Sequence, residues 1–246
     1  MKKIYVLLFV FPHILHSQGT FIYMDTTLDC NCSIYHTYVS GNISQWPLII
    51  ERMQQRYHAT KTNHCLFNLV FAQYGYIAYL INTGDKILAM KYIREGEANA
   101  DLLVQRKAYP SRVEALKGAF NAFKIALEPS KAAWYGPRSL NHINTSLRID
   151  PNCPYGWVEK ANTEYHIPRI FGGSYQKAAE YYAKSISIFE STQGLTYCNW
   201  YYLNAYLGLA NSYSRMGNKA EARKTLQKLL IIAPGFTYVM ELMQKL

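Results

Sequence analysis

Along the C-terminal part of the chain, apolar residues recur three and four positions apart. Leu209, Ala210 and Tyr213 share one face of a helix, and Ala222, Leu226, Leu229 and Leu230 share one face of the next. That period predicts two amphipathic helices, neither able to bury its stripe alone. Gly217 stands between them, where a reversal needs positive φ, and Pro234 predicts the end of the second. The small side chains of Ala210 and Ala222 let the two helices approach closely.

Three earlier stretches repeat the device. Gly172-Gly173 predicts the end of a helix beginning near Tyr155, and Ser174 is a natural N-cap for the run through Ala178 and Tyr182. An apolar helix over Leu66 to Ile81 precedes Gly84-Asp85 and then Ala89 and Ile93. Another, about Val113 to Leu127, precedes Gly136-Pro137 and then Ser139, Ile143, Leu147 and Ile149. The pattern adds an N-terminal helix near Trp46 to Tyr57 and a short closing helix after Pro234. No Gly-Lys-Ser/Thr follows the Gly-Gly pair and no strand precedes it, so a helix-pair turn is favoured over a phosphate loop.

Tyr206, Leu209, Ala210, Tyr213, Ala222, Leu226 and Pro234 stand at the spacing W-x2-L-G-x2-Y, A-x3-F, P. The last unit thus resembles a tetratricopeptide repeat (TPR), with Gly217-Asn218 at its usual turn and Asp150-Pro151-Asn152 like a common repeat ending. The resemblance covers 66–246, strong in the last unit and degenerate in the first two. It implies an all-α, TPR-like solenoid of about four antiparallel helix pairs with flanking helices.

Set against that repeat, two turns are too long. Glu128 to Pro137 adds about nine residues and His166 to Phe171 about five. In a stack both lie on one edge, which predicts a basic, aromatic rim of Lys131, Trp134, Tyr135, Arg138, His166, Arg169 and Phe171. The competing reading folds Trp134, Tyr135 and Phe171 back as plugs over the solenoid end. A second candidate is the concave groove, with Tyr74, Asn162, Tyr165, Asn211 and Arg215. Some TPR proteins clamp a carboxylate there with Lys and Asn, but Tyr74 stands where the first unit would need its Lys.

The opening "MKKIYVLLFVFPHILHSQG" has two lysines ahead of an apolar run, which predicts a signal peptide over 1–17, with an N-terminal segment over 18–65 before the repeats. An exported, periplasmic or secreted chain follows. No later segment is expected to span a bilayer. Loss of Lys2 and Lys3 lowers the formal charge from +10 to +8, still basic enough to favour an acidic protein or peptide. Export and the lack of a Lys/Arg block argue against nucleic acid.

Five cysteines lie beyond the leader, an odd number that leaves at least one unpaired or intermolecular. Buried thiols or a disulfide through Cys65 are expected, and the Cys/His spacing fits no metal pattern. No nucleophile–base set or paired carboxylates point to catalysis, and no cofactor is implied. The leading reading is a non-catalytic adaptor for a protein or peptide. The alternative is a solute-handling accessory: "IPRIFGGS" resembles the Pro-containing insertion of exported TPR proteins beside TRAP-type uptake systems, and a small-molecule ligand goes with it.

Overall fold

The computed structural model describes residues 30–246 and, within them, eleven α-helices and no strand. The proposed leader lies outside the described residues. The helices are α1 (Cys30–Ser40), α2 (Trp46–Thr60), α3 (Asn63–Thr83), α4 (Lys86–Gln105), α5 (Pro110–Leu127), α6 (Ala132–Ile149), α7 (Pro154–His166), α8 (Tyr175–Ser191), α9 (Trp200–Arg215), α10 (Lys219–Ile232) and α11 (Thr237–Lys245). Four antiparallel pairs, α3/α4, α5/α6, α7/α8 and α9/α10, make the stack. The fold is the all-α, TPR-like solenoid that the repeat resemblance implies.

Local chemistry starts and stops these helices. The side chains of Thr62, Asp85, Ser174, Asn199 and Asn218 each accept a hydrogen bond from a backbone N–H in the following first turn. Gly217 takes φ 81°, the left-handed turn predicted between α9 and α10. Gly172 takes φ 97°, and a Cβ on Gly173 would fall 1.8 Å from the Ile167 carbonyl oxygen. The Gly-Gly pair is thus a turn whose backbone passes too close to itself for any side chain.

First-of-pair helices carry most of the core. Trp46, Trp200, Tyr38, Tyr74, Tyr201, Phe120 and Phe123 are almost wholly buried. Trp200 sits at their centre, with ring centroids of Phe71, Trp46 and Tyr38 at 5.0, 5.5 and 5.6 Å. These stacked, edge and tilted contacts add to the burial of large apolar area. Helices α1 and α2 contribute Ile34, Tyr38, Trp46 and Ile49 to the same core.

Four expectations change. The segment 129–137 is not an open turn: after a 3-10 turn at Pro129–Lys131, α6 begins at Ala132 and runs through Pro137. Near the start of a helix, one missing backbone donor leaves the rest of the ladder intact. α1 had no counterpart in the predicted elements, because its apolar stripe is short and mixed with Cys, Ser and Thr. The disulfide joins Cys32 to Cys198, and Cys65 is a free thiol with Cys30 and Cys153. Finally, α3 is long and apolar enough to cross a membrane, against expectation; 72% of its most apolar window is buried inside the protein, as in a central core helix.

Candidate ligand cavity and rim

The two insertions face each other across a cavity of about 360 Å³. α5 supplies Ala119 and Phe123, the region 129–140 supplies Pro129, Ala132 and Leu140, and the end of α7 with its following turn supplies Ile167, Pro168 and Phe171. Residues of α6 and α7, with the stretch that follows α7, line opposite parts of this cavity. The walls are predominantly apolar, and the polar groups gather around Glu159, Asn162, Thr163 and His166 of α7.

Glu159 is 4% exposed. Its Oε1 accepts hydrogen bonds from the hydroxyls of Tyr74, at 2.5 Å, and Tyr201. Its Oε2 accepts from Asn162 Nδ2 at 3.2 Å, while the Asn162 oxygen accepts from the Tyr182 hydroxyl at 2.5 Å. Burial pushes the Glu159 carboxyl above the ordinary range, opposed by hydrogen bonds from Tyr201, Tyr74 and Asn162. The phenols of Tyr74, Tyr182 and Tyr201 are pushed well up by burial, assisted by the nearby Glu159 charge. They remain donors at any ordinary pH. This network ties α3, α7, α8 and α9 together directly behind the cavity.

His166 lies half-buried in the cavity wall. Desolvation, helped by the positive charge of Arg215, lowers its pKa to about 3, so the imidazole is neutral. A neutral ring keeps one nitrogen lone pair available.

Of the predicted rim, His166 and Phe171 line the cavity. Lys131, Trp134, Tyr135, Arg138 and Arg169 do not. Lys131 is paired with Glu128 at 2.5 Å, and Arg138 lies 3.5 Å over the Trp134 ring while donating to the Trp134 carbonyl at 2.9 Å. Tyr135 sits beneath Lys124 at 5.3 Å. Trp134 is 62% exposed and Phe171 73%, so neither is a buried plug. The rim is a partly self-neutralised lip around an apolar opening.

The predicted groove is corrected in part. Tyr74 is fully buried, because its hydroxyl finds Glu159 from inside the stack. Asn162 is buried as well and belongs to the cavity floor. Tyr165 and Arg215 meet, with Arg215 Nε donating to the Tyr165 hydroxyl at 3.4 Å, and Asn211 Nδ2 is buried with no partner. The sequence reading missed Glu159 altogether. A single Glu in an amphipathic helix looks like any solvated charge, and its tyrosine partners lie 85 and 42 residues away.

The family model of the tetratricopeptide repeat matches residues 204–235, which span the body of α9, its turn and α10. The protein is TPR-like. No curated protein matches the chain. Among solved structures, this TPR-like chain is similar to the HusA haemophore from Porphyromonas gingivalis, with a TM-score of 0.62 and 15% sequence identity. The likeness covers 78% of this chain and 96% of that one. At that identity it speaks for the fold: the TPR-like stack has a counterpart over nearly the whole of the neighbour.

Proposed function

We propose that the protein is an exported helical scaffold that holds a small, largely apolar ligand in the cavity between α5, α6 and α7. The cavity itself carries this reading. Its volume of about 360 Å³ falls within the range of ~300–1,000 Å³ usual for ligand sites, and apolar walls with a few convergent polar groups are their usual composition. The disulfide between Cys32 and Cys198 supports an oxidising compartment and so the export proposed from the leader.

A planar macrocycle is the first ligand to try, because the fold neighbour is a haemophore and because His166 offers a neutral imidazole to a metal at such a ligand's centre. One edge of the ring would enter the cavity and the remainder would lie against Phe171 and the exposed lip. Titration with haemin and with metal-free protoporphyrin, followed by absorbance and tryptophan fluorescence, tests this. Saturable one-to-one binding is expected for both, and His166→Ala should change the absorbance of bound haemin while leaving metal-free binding intact. If neither ring binds saturably, the macrocycle reading fails.

The second reading keeps the adaptor role. The observation favouring it is the exposed lip, where Ile170 is 84% exposed beside Phe171 and near Arg169. Exchanging Lys131, Arg138 and Arg169 for Ala should then weaken an acidic partner in a salt-dependent way. The TRAP-type accessory role rests on the short IPRIFGGS resemblance alone, and no further observation adds to it.

A further inference from the structure

We infer that Glu159 makes the inner end of the cavity selective for charge: an ammonium or other N–H donor is favoured over an uncharged apolar group there, and a carboxylate is refused. The inference rests on the cavity being the ligand site.

The hydrogen-bond directions carry it. Asn162 Oδ1 is taken by the Tyr182 hydroxyl, so the amide nitrogen is the atom that faces Glu159. Tyr74 and Tyr201 bring hydroxyl donors to Oε1. Three neutral groups able to donate thus surround the carboxylate, and hydrogen bonds of this kind favour its ionised form against the upward push of burial. All three donors are neutral, and among the described residues no Lys, Arg or His forms an ion pair with Glu159.

A carboxylate has about four acceptor positions, and protein groups fill three of them here. The fourth belongs to Oε2, on a side chain that lines the cavity. A buried charge without a counter-charge is unfavourable, and a ligand ammonium would relieve that while completing the hydrogen bonds. Apolar surroundings strengthen both this attraction and the repulsion of a second carboxylate. A ligand with a carboxylate edge would therefore enter with that edge outward, toward the lip that bears Arg169.

Three probes with one bicyclic body test the inference by calorimetry at pH 7: 1-naphthylmethylamine, 1-methylnaphthalene and 1-naphthoate. The amine should bind at least about tenfold tighter than methylnaphthalene, and naphthoate at least about tenfold weaker, since a hydrogen bond to a charged group is worth that much. The basic net charge of the protein biases non-specific binding the opposite way. Glu159→Gln should bring the three affinities within about threefold of one another. Naphthoate binding as tightly as the amine overturns the inference. Equal binding of all three removes the role of Glu159 but leaves the cavity as a ligand site, whereas no saturable binding of any probe removes both. The ranking in the unsubstituted protein decides the matter even if Glu159→Gln fails to fold.

Discussion

The pair α9/α10 and the region joining α5, α6 and α7 are built from the same device with opposite outcomes. In α9/α10 the repeat spacing is kept, the turn is three residues from Met216 to Asn218, and Leu209, Ala222, Leu226 and Leu229 all go into the core. In the other region two insertions interrupt the spacing, and the same kind of helices leave an apolar cavity with a buried carboxylate behind it. Repeat-keeping residues thus serve stability, and repeat-breaking residues are free to serve binding.

Substitutions can separate these two roles. The largest expected effect is on the side that is stapled: replacing Cys32 and Cys198 together by Ser opens a link spanning 166 residues. Chain entropy puts the loss at ~5 kcal/mol, read by urea denaturation. Next, Leu226→Ala in α10 should lower stability by ~3 kcal/mol through lost burial and a cavity, while ligand affinity of the folded fraction is unchanged. If affinity falls with it, the two regions are not separable.

A pH series sharpens the comparison from the cavity side. His166 titrates at about 3 in the folded chain, below its ordinary 6.5, so the unfolded chain binds the proton more readily between those values. Stability from this group is present above pH 6.5 and is lost as pH falls toward 3. Between pH 7.5 and 5 the loss should be ~1–2 kcal/mol, and His166→Gln should not show it. Glu159 has the opposite sign: its raised carboxyl disfavours folding more as pH rises through the folded value, so the difference between parent and His166→Gln is the quantity to read. The smallest effect on stability belongs to Phe171→Ala, within ~0.5 kcal/mol because the ring is exposed, yet it should weaken an apolar ligand about tenfold.

Much of this was legible in the chain. The cap at Ser174 and the positive φ at Gly217 follow from local signals, each a matter of a few neighbouring residues. α1 was not legible, since a short helix rich in Cys, Ser and Thr carries little periodicity and is held by contacts with α2, α9 and α11. Tyr74 was placed on a groove because its repeat position faces the concave side in the family pattern. The stack instead turns its hydroxyl inward to Glu159.

By itself, the sequence determined an all-helical stack of four pairs interrupted by extra residues at two places, because a 3.6-residue apolar period and glycine turns act over a few residues at a time. Only the tertiary structure decided that the two inserted stretches enclose a cavity, that Cys32 meets Cys198, and that Glu159 is buried among the hydroxyls of Tyr74 and Tyr201 and the amide of Asn162. Each of these depends on helices far apart in the chain arriving at one place. No residue's own neighbourhood in the sequence records that arrival.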